Sequence, residues 1–587
     1  MKSKKISIDF DWKKNVKLFG ILSFYIFISI FSLFFLRKTG YIFRGDDLHF
    51  HIDRIENLAH LLKHHSLFSF ITTYSYNNVG IAMDQFYPNL FIYPFAVLRL
   101  VIKNPVSAIY DGLMILNLMT CLVAHYSYMK FSGSTFKAFI FTNFYFFSTY
   151  RFIDMLTRFD LGELLAIAFV PLAFLGFYEV FFADVKEWPI LAIGMSLILY
   201  SHLLSLVIVT FFFFIILILN FKKIKNILKS LKCLFLAVGL FFILAFGFIY
   251  NLLYTFHGNS IKTPAVTNLQ QSAINPGNLF ESSLSNSISG FGGQTYNVGF
   301  VAIIILLLIL FKKNIVINHH KQVVIWTLVS LFISTNLFPW FLLQTTPFAI
   351  IQFPWRFLII ANFFISLLGV DVITPIFKLK KNKIFIWLLP IFLLLLNLSA
   401  VDQFIDQRQT LPVVNFTLKS TDSAAHAHQI KVNNSNYYRL TKLNNTSDYI
   451  PLDDKIARPA DIEIFHRVIN HRGILQNGHT IKFKRVISIP NGMKYKISES
   501  SGNYRISLPF YIYNKKNYVV KIDHHVVPLR LSKYKLANVK IFKNDREIQI
   551  NYVPTTWQKI AISISVVGAI VVLVFAILKS VGRLIKY

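Results

Sequence analysis

Apolar runs recur along the chain near 17–37, 106–129, 135–149, 163–182, 188–201, 203–219, 233–254, 298–311, 322–338, 356–376, 384–400 and 557–578. Several are short. The stretch 188–219 is too long for one helix, and Tyr200-Ser201-His202 marks the turn between two. The pattern predicts an all-α polytopic membrane protein of about twelve transmembrane helices. After residue 400 the spans stop for about 150 residues, the size of one compact domain. There Tyr504-Arg505-Ile506-Ser507-Leu508, Tyr518-Val519-Val520-Lys521-Ile522 and Val539-Lys540-Ile541-Phe542 alternate or run β-branched between turn residues such as Asn514 and Asn544-Asp545. Residues 1–400 therefore read as a membrane domain, 401–556 as a β-rich, sandwich-like domain tethered at both ends, and 557–587 as a last span with its tail. No solenoid repeat or heptad is present.

Charge decides the topology. Segment 86–103 is either a span or a helix lying in the interface. Only the interfacial choice places every basic block on one side: Lys2 to Lys17, Lys130 and Lys137, Lys186, Lys222 to Lys232, Lys312, Lys313 and Lys321, Lys378 to Lys383, and Lys579, Arg583 and Lys586. Both termini are then cytoplasmic, and loops 38–105, 150–162, 255–297 and 339–355 face out with the turn at Ser201-His202 and segment 401–556. Loop 255–297 is rich in Asn, Ser, Gln and Gly, including Gly290-Phe291-Gly292-Gly293, and reads as a mobile lid or a plain connector. The formal charge of +32 would suit nucleic acid, but the cations sit in short blocks between apolar spans, which excludes that partner. Cys121 and Cys233 lie far apart inside apolar spans, so neither a disulfide framework nor a cysteine metal site is expected. The first span has no small-residue cleavage site after it and reads as a retained anchor.

The conspicuous polar clusters all map to the outer side. Gly45-Asp46-Asp47-Leu48-His49-Phe50-His51-Ile52-Asp53-Arg54 follows the first span; on a helix from Asp47, residues 47, 51 and 54 fall at i, i+4 and i+7 and share a face. A solvated interfacial helix would show the same spacing. The short loop from Tyr150 to Glu163 packs Arg151, Asp154, Arg158, Asp160 and Glu163 between two spans, more charge than a turn requires. Glu163 also suits the positive end of the next helix, and the arginines also suit ion pairs with Asp154 and Asp160. His202 stands on an outer turn, and Ile351-Gln352-Phe353-Pro354-Trp355-Arg356 brings Gln352 and Arg356 to the outer end of a span, where Arg is either a phosphate fork or a snorkelling anchor. No Gly-rich phosphate loop, HExxH or Gly-x-Ser-x-Gly occurs, which argues against cytosolic nucleotide chemistry. An acid pair, cations and a second acidic loop at one membrane surface suit a transferase acting on a lipid-anchored donor.

In these residues the chain resembles the GT-C superfamily of integral-membrane glycosyltransferases, and within it the bacterial YfhO-like and PTPS-related (6-pyruvoyl-tetrahydropterin synthase-related) membrane proteins. The matching pieces are Gly45-Asp46-Asp47 to His51-x-x-Arg54-Ile55, Asn78-Val79-Gly80 leading to Phe86-Tyr87-Pro88-Asn89-Leu90, and Tyr150-Arg151 to Arg158-x-x-Leu161-Gly162-Glu163-x-x-Ala166, with Pro171-Leu172 after them. They cover about the first 220 residues in order. Gln352-Phe353-Pro354-Trp355-Arg356, Leu508-Pro509-Phe510-Tyr511 and the last span match more loosely. Two features depart from the pattern: Pro88-Asn89 stands where relatives have Pro-Pro, and the chain is shorter than typical YfhO-like proteins.

The resemblance implies transfer of a sugar, with inversion, from a polyprenyl-phosphate donor to an acceptor outside a bacterial cytoplasmic membrane. The acceptor class suggested is a cell-envelope polymer, and the basic outer domain favours an anionic one, such as a teichoic-acid-like polysaccharide. The catalytic carboxylate falls on Asp47 or Asp46, with Asp47 preferred for its shared face with His51 and Arg54. The donor and acceptor site would take His51, Arg54, Asp154, Arg158, Asp160, Glu163 and His202, and the donor phosphate Arg356 and Gln352. Some superfamily members bind a divalent metal, Mg or Mn, for which Asp47, Asp160 and Glu163 are the candidates. The competing expectations are a flippase of lipid-linked sugars, which would place ionisable groups at mid-membrane in two related halves, and a non-enzymatic envelope scaffold.

Overall fold

A computed structural model describes residues 12–43, 45–289, 295–311, 313–379, 385–411, 431–441, 448–452, 458–497 and 502–585. The predicted basic residues at 2–11, Lys312, 380–383 and Lys586, and the Gly290-Phe291-Gly292-Gly293 turn, lie outside them. Helices occupy all twelve predicted positions, and among the described residues eight are long and apolar enough to cross a membrane: Leu18–Thr39, Pro105–Ser132, Leu161–Phe182, Leu203–Lys223, Ile227–Phe256, Pro354–Pro375, Trp387–Gln409 and Thr556–Lys579. Thr135–Phe146, Pro189–Leu199, Phe300–Phe311 and Lys313–Ser334 are shorter or less apolar. The chain is a polytopic membrane protein. In segment 86–103 the helical run Leu90–Val101 is too short to span.

Local chemistry sets the turns. Asn104 caps Pro105–Ser132 through the Ser107 N–H, and Pro105 sits in the first turn, where no donor is missed. Gly133, at φ 64°, ends that helix in the left-handed region, and Ser134 caps the next. Leu161–Phe182 and Pro189–Leu199 pack closely through small residues: a Cβ on Gly176 would meet the Leu191 backbone at 2.3 Å, and one on Gly194 the Ala173 backbone at 2.8 Å.

Leu161–Phe182 spans roughly 33 Å. Just past its far end Glu187 binds Lys130 at 2.8 Å and Lys579 at 2.9 Å. The acidic loop 150–160 lies at the near end, so that loop and the Lys130–Glu187–Lys579 cluster sit on opposite faces of the bundle.

The last third forms two five-stranded antiparallel sheets. One runs in the order His525–Val527, Tyr518–Ile522, Glu547–Tyr552, Gly492–Lys496, Arg485–Ile489. The other runs Arg530–Leu531, Leu536–Ile541, Tyr504–Tyr511, Arg472–Leu475, Thr480–Lys482. Alternate residues such as Ile548, Ile550 and Tyr552 point into the core, as period-two patterning requires. That core also takes in Phe70, Ile71, Tyr76, Val79 and Phe86 of the loop 38–105. Tyr511 N–H donates to Val79 O at 3.0 Å, and the Phe510 ring lies against Gly80, where a Cβ would be 2.6 Å from it. The loop 38–105 is thus clamped between sheets and bundle.

Candidate functional site

Two loops far apart in sequence lie backbone to backbone. A Cβ on Gly45 would lie 2.7 Å from the Arg158 and Thr157 carbonyls, so only glycine allows the approach. Asp47 N–H then donates to Arg158 O at 2.8 Å, and Asp47 precedes the helix Leu48–Lys63. On the other loop Ile153–Arg158 takes a π-helical turn, Phe159 adopts φ 54°, and Asp160 caps Leu161–Phe182 by accepting from Glu163 N–H at 3.0 Å. Single π-turns recur at functional sites. The cap is therefore Asp160, and the Glu163 side chain is left for other contacts.

Arg158 is the hub. Its guanidinium binds Asp154, reaches Asp160 Oδ2 and Glu163 Oε2 at 2.7 Å each, and stands 3.8 Å from Asp47 Oδ2. It lies 4.3 Å from the Trp355 ring centroid. Tyr150 donates its hydroxyl proton to Glu163. Arg356 Nε is 3.5 Å from Glu163 Oε2, and its Nη1 donates to Ile351 O at 2.8 Å and Gln352 Oε1 at 3.3 Å. His51 Nε2 stands 3.5 Å from Asp160 Oδ1. His202 is tied through Nδ1 to Ser205 Oγ at 2.8 Å, with its ring 5.9 Å from that of Tyr87.

Asp46, Asp47, His51, Asp154, Arg158, Asp160, Glu163, His202 and Arg356 are therefore one neighbourhood, with Asp46 exposed at its edge. Arg54 points elsewhere. Its guanidinium stacks on Tyr87 at 4.5 Å, donates to Pro88 O and stands 3.9 Å from Asp84 Oδ1, touching the site only through His51 Nδ1 at 3.4 Å. Gln352 reaches it only as a support of Arg356. Arg151 is buried beneath, bonded to Asn117 and Phe146 O.

Sequence reading missed the aromatic walls. Tyr296 stacks on Trp355 at 4.0 Å, and Tyr87 packs against Phe50 at 5.0 Å. A Cβ on Gly162 would meet the Tyr87 hydroxyl at 2.1 Å. In a chain with 61 Phe, 27 Tyr and 7 Trp no single aromatic stands out, although Tyr87 and Trp355 lie inside the motifs that carry the family resemblance. Arg408, stacked on Phe404 at 4.8 Å and in electrostatic contact with Asp46, was also missed.

Four acids, Asp47, Asp154, Asp160 and Glu163, face two guanidinium groups. Negative charge in excess of positive cannot be held in a desolvated site, so protons fill the gap. Burial opposes ionisation of Asp160, but Arg158 and His51 overcome it and hold that carboxyl well below the usual range. Burial and the neighbouring Glu163 push Asp154 well above it. Asp47 is raised to about 7, by burial first and then by Asp160, against the pull of Arg158. Its carboxyl remains 43% accessible to water, while protein surrounds it over the longer range on which a charge is solvated. Burial lowers His51 to about 4 and His202 to about 3, so both rings are neutral at pH 7.

No protein-family profile matches the chain, and no curated protein matches it. Among solved structures, the crystal structure of ArnT from Cupriavidus metallidurans bound to undecaprenyl phosphate is similar, with 11% identity and a TM-score of 0.36 over 77% of this chain and 71% of that one. What this site does chemically is read from its own side chains.

Proposed function

We propose that this chain is an integral-membrane glycosyltransferase of the GT-C type, moving a sugar from a polyprenyl-phosphate donor to an acceptor of the cell envelope. The proposal takes loops 38–105, 150–162, 255–297 and 339–355 and segment 401–556 as extracytoplasmic, with both termini in the cytoplasm of a bacterium. The observation that supports it most is Asp47, a water-accessible carboxyl 3.8 Å from the fixed Arg158 guanidinium, which burial and Asp160 push up to about 7. That is the pKa of a base at work near neutrality.

The reaction is a single displacement. An acceptor hydroxyl oxygen bonds to the anomeric carbon of the donor sugar as the bond from that carbon to the phosphate oxygen breaks. The bonding pair leaves on the phosphate, which stays in the bilayer on its polyprenyl chain, and the hydroxyl proton passes to Asp47. The anomeric configuration inverts. Arg356 neutralises the departing phosphate, oriented by Gln352. His51 and Arg158 hold Asp160 ionised, and Asp160 in turn keeps Asp47 basic. Asp160 and Glu163 give oxygens to Arg158, and among the described residues no three His, Cys, Asp or Glu side chains form a metal-binding group. A divalent ion does not fit this donor set.

The test is transfer of labelled hexose from a panel of polyprenyl-phosphate sugars to envelope material by the purified protein. Asp47→Asn is expected to lower transfer by about 100-fold or more with unchanged folding. Transfer at the wild-type rate would overturn the assignment.

A further inference from the structure

The end of the two sheets remote from the last membrane helix carries more cations than acids among the described residues. Strand Glu547–Tyr552 leads into helix Thr556–Ile585, so Tyr552 lies beside the helix and Glu547 roughly 17 Å away along the strand. Ile497, Asp523, Asn503 and Lys543 gather at the Glu547 end: Ile497 N–H bonds Arg546 O at 3.0 Å, Asp523 N–H bonds Glu547 O at 3.0 Å, and Lys543 N–H bonds Asn503 Oδ1 at 3.2 Å.

At that end Arg485, Lys496, Lys521, Lys540, Lys543 and Arg546 are all exposed. Arg485 stands in register opposite Lys496, and on the other sheet Lys540 stands opposite Arg505. Like charges directly opposite across a strand pair are destabilising. The described acids nearby, Asp523, Asp545 and Glu547, are outnumbered by these cations. Asp523 spends both oxygens on the backbone N–H groups of Arg546 and Glu547, at 2.9 Å each, and Asp545 accepts from Phe542 N–H at 2.7 Å. Glu547 faces Lys496 and reaches Lys494 at 3.5 Å, one carboxylate between two lysines.

We infer that this remote end is a docking surface for an extended polyanion outside the bilayer, a linear polymer with regularly spaced phosphate or carboxylate groups. The repulsion within Arg485–Lys496 and Arg505–Lys540 is relieved when such a chain lies across them, and its bound counterions are released, so binding weakens with salt. A bilayer surface fits less well, because these cations gather at the end away from the membrane helix. Lys515 and Lys516 instead follow Asn514, which bonds Tyr254 of a membrane helix at 3.0 Å. The inference does not depend on which group the cavity transfers.

The experiment uses the full-length protein in phosphatidylcholine nanodiscs with long-chain polyphosphate as probe and dextran as the neutral control. Polyphosphate is expected to bind and dextran not, with affinity falling as sodium chloride rises. The combined variant Arg485→Ser, Lys496→Ser, Lys540→Ser and Lys543→Ser is expected to lose about tenfold or more in affinity at low salt, while Lys496→Arg with Lys540→Arg keeps it. Should the combined variant fail to fold, Lys543→Ser alone, in an exposed turn, is expected to make the slope of log affinity against log salt shallower by about one. Undiminished binding by the folded serine variants would overturn the inference. So would capture of phosphatidylglycerol vesicles through these residues in the absence of polyphosphate binding.

Discussion

His51 Nε2 stands 3.5 Å from Asp160 Oδ1, joining a helix that follows the first span to the cap of a helix more than a hundred residues later. Burial lowers the imidazole to about 4, so at pH 7 it is a neutral ring offering one N–H to an ionised carboxylate. A hydrogen bond to a charged group contributes about 1.5–3 kcal/mol. His51→Ala is therefore expected to slow transfer by about 10- to 100-fold, and His51→Gln, which keeps an N–H donor, to recover most of that. Equal rates for the two variants would show that the contact is packing alone.

The Asp47 carboxyl sets the acid side of the pH profile. Protonated below about 7, it accepts no proton from the acceptor, so kcat/KM is expected to rise about tenfold per pH unit up to about 7 and then level. Asp160 is among the charges that raise it, so Asp160→Asn is expected to move the limb to lower pH in whatever activity remains. Stability runs the other way. The unfolded carboxyl ionises near 4 and the folded one near 7, so the folded state binds more protons between these values and stability falls as pH rises through them. Asp47→Asn should flatten that fall, which thermal unfolding at several pH values measures.

Much of this was legible because ionisable side chains are rare in an apolar chain. The acids and cations of 46–47 and 151–163 had few places to go except to each other, and the Ser201-His202 turn showed as a polar break in one long apolar run. The direction of Arg54 was not legible. Positions 47, 51 and 54 do share a helix face, but Asp84 and the Pro88 carbonyl, which draw the guanidinium aside, lie in a loop with no periodic pattern. Nor was the clamp on the loop 38–105, since Val79 meets Tyr511 and Gly80 meets Phe510 across more than four hundred residues. The exact number of spans was less legible: helices occupy all twelve positions, and among the described residues eight are long and apolar enough to cross a membrane, because Thr135–Phe146 and Pro189–Leu199 are apolar but short.

Gly162 is placed to make room for Tyr87. Any side chain there would overlap the tyrosine hydroxyl, at 2.1 Å from a Cβ, with the next ring atom at 2.9 Å. Gly162→Ala is expected to displace the ring from between Arg54 and His202, lowering transfer by about tenfold while the protein still folds. Removing the hydroxyl relieves the closest contact, so Gly162→Ala with Tyr87→Phe should recover part of the loss relative to Gly162→Ala alone. If the two changes simply add, the overlap is not the cause.

The opposed faces of the bundle make a prediction about orientation. Lys130, Glu187 and Lys579 gather at one face, and the acidic site and the sheets at the other. By the positive-inside rule the lysine face is expected to be cytoplasmic. Both native cysteines, Cys121 and Cys233, are buried and free, so a membrane-impermeant maleimide should give little background. Asn544→Cys, in an exposed turn of the sheets, is expected to label in intact cells, whereas Lys579→Cys is expected to label only after permeabilisation. The reverse pattern would place the site in the cytoplasm and remove the envelope acceptor. Labelling of both in intact cells would mean that the helix Thr556–Ile585 does not cross the membrane.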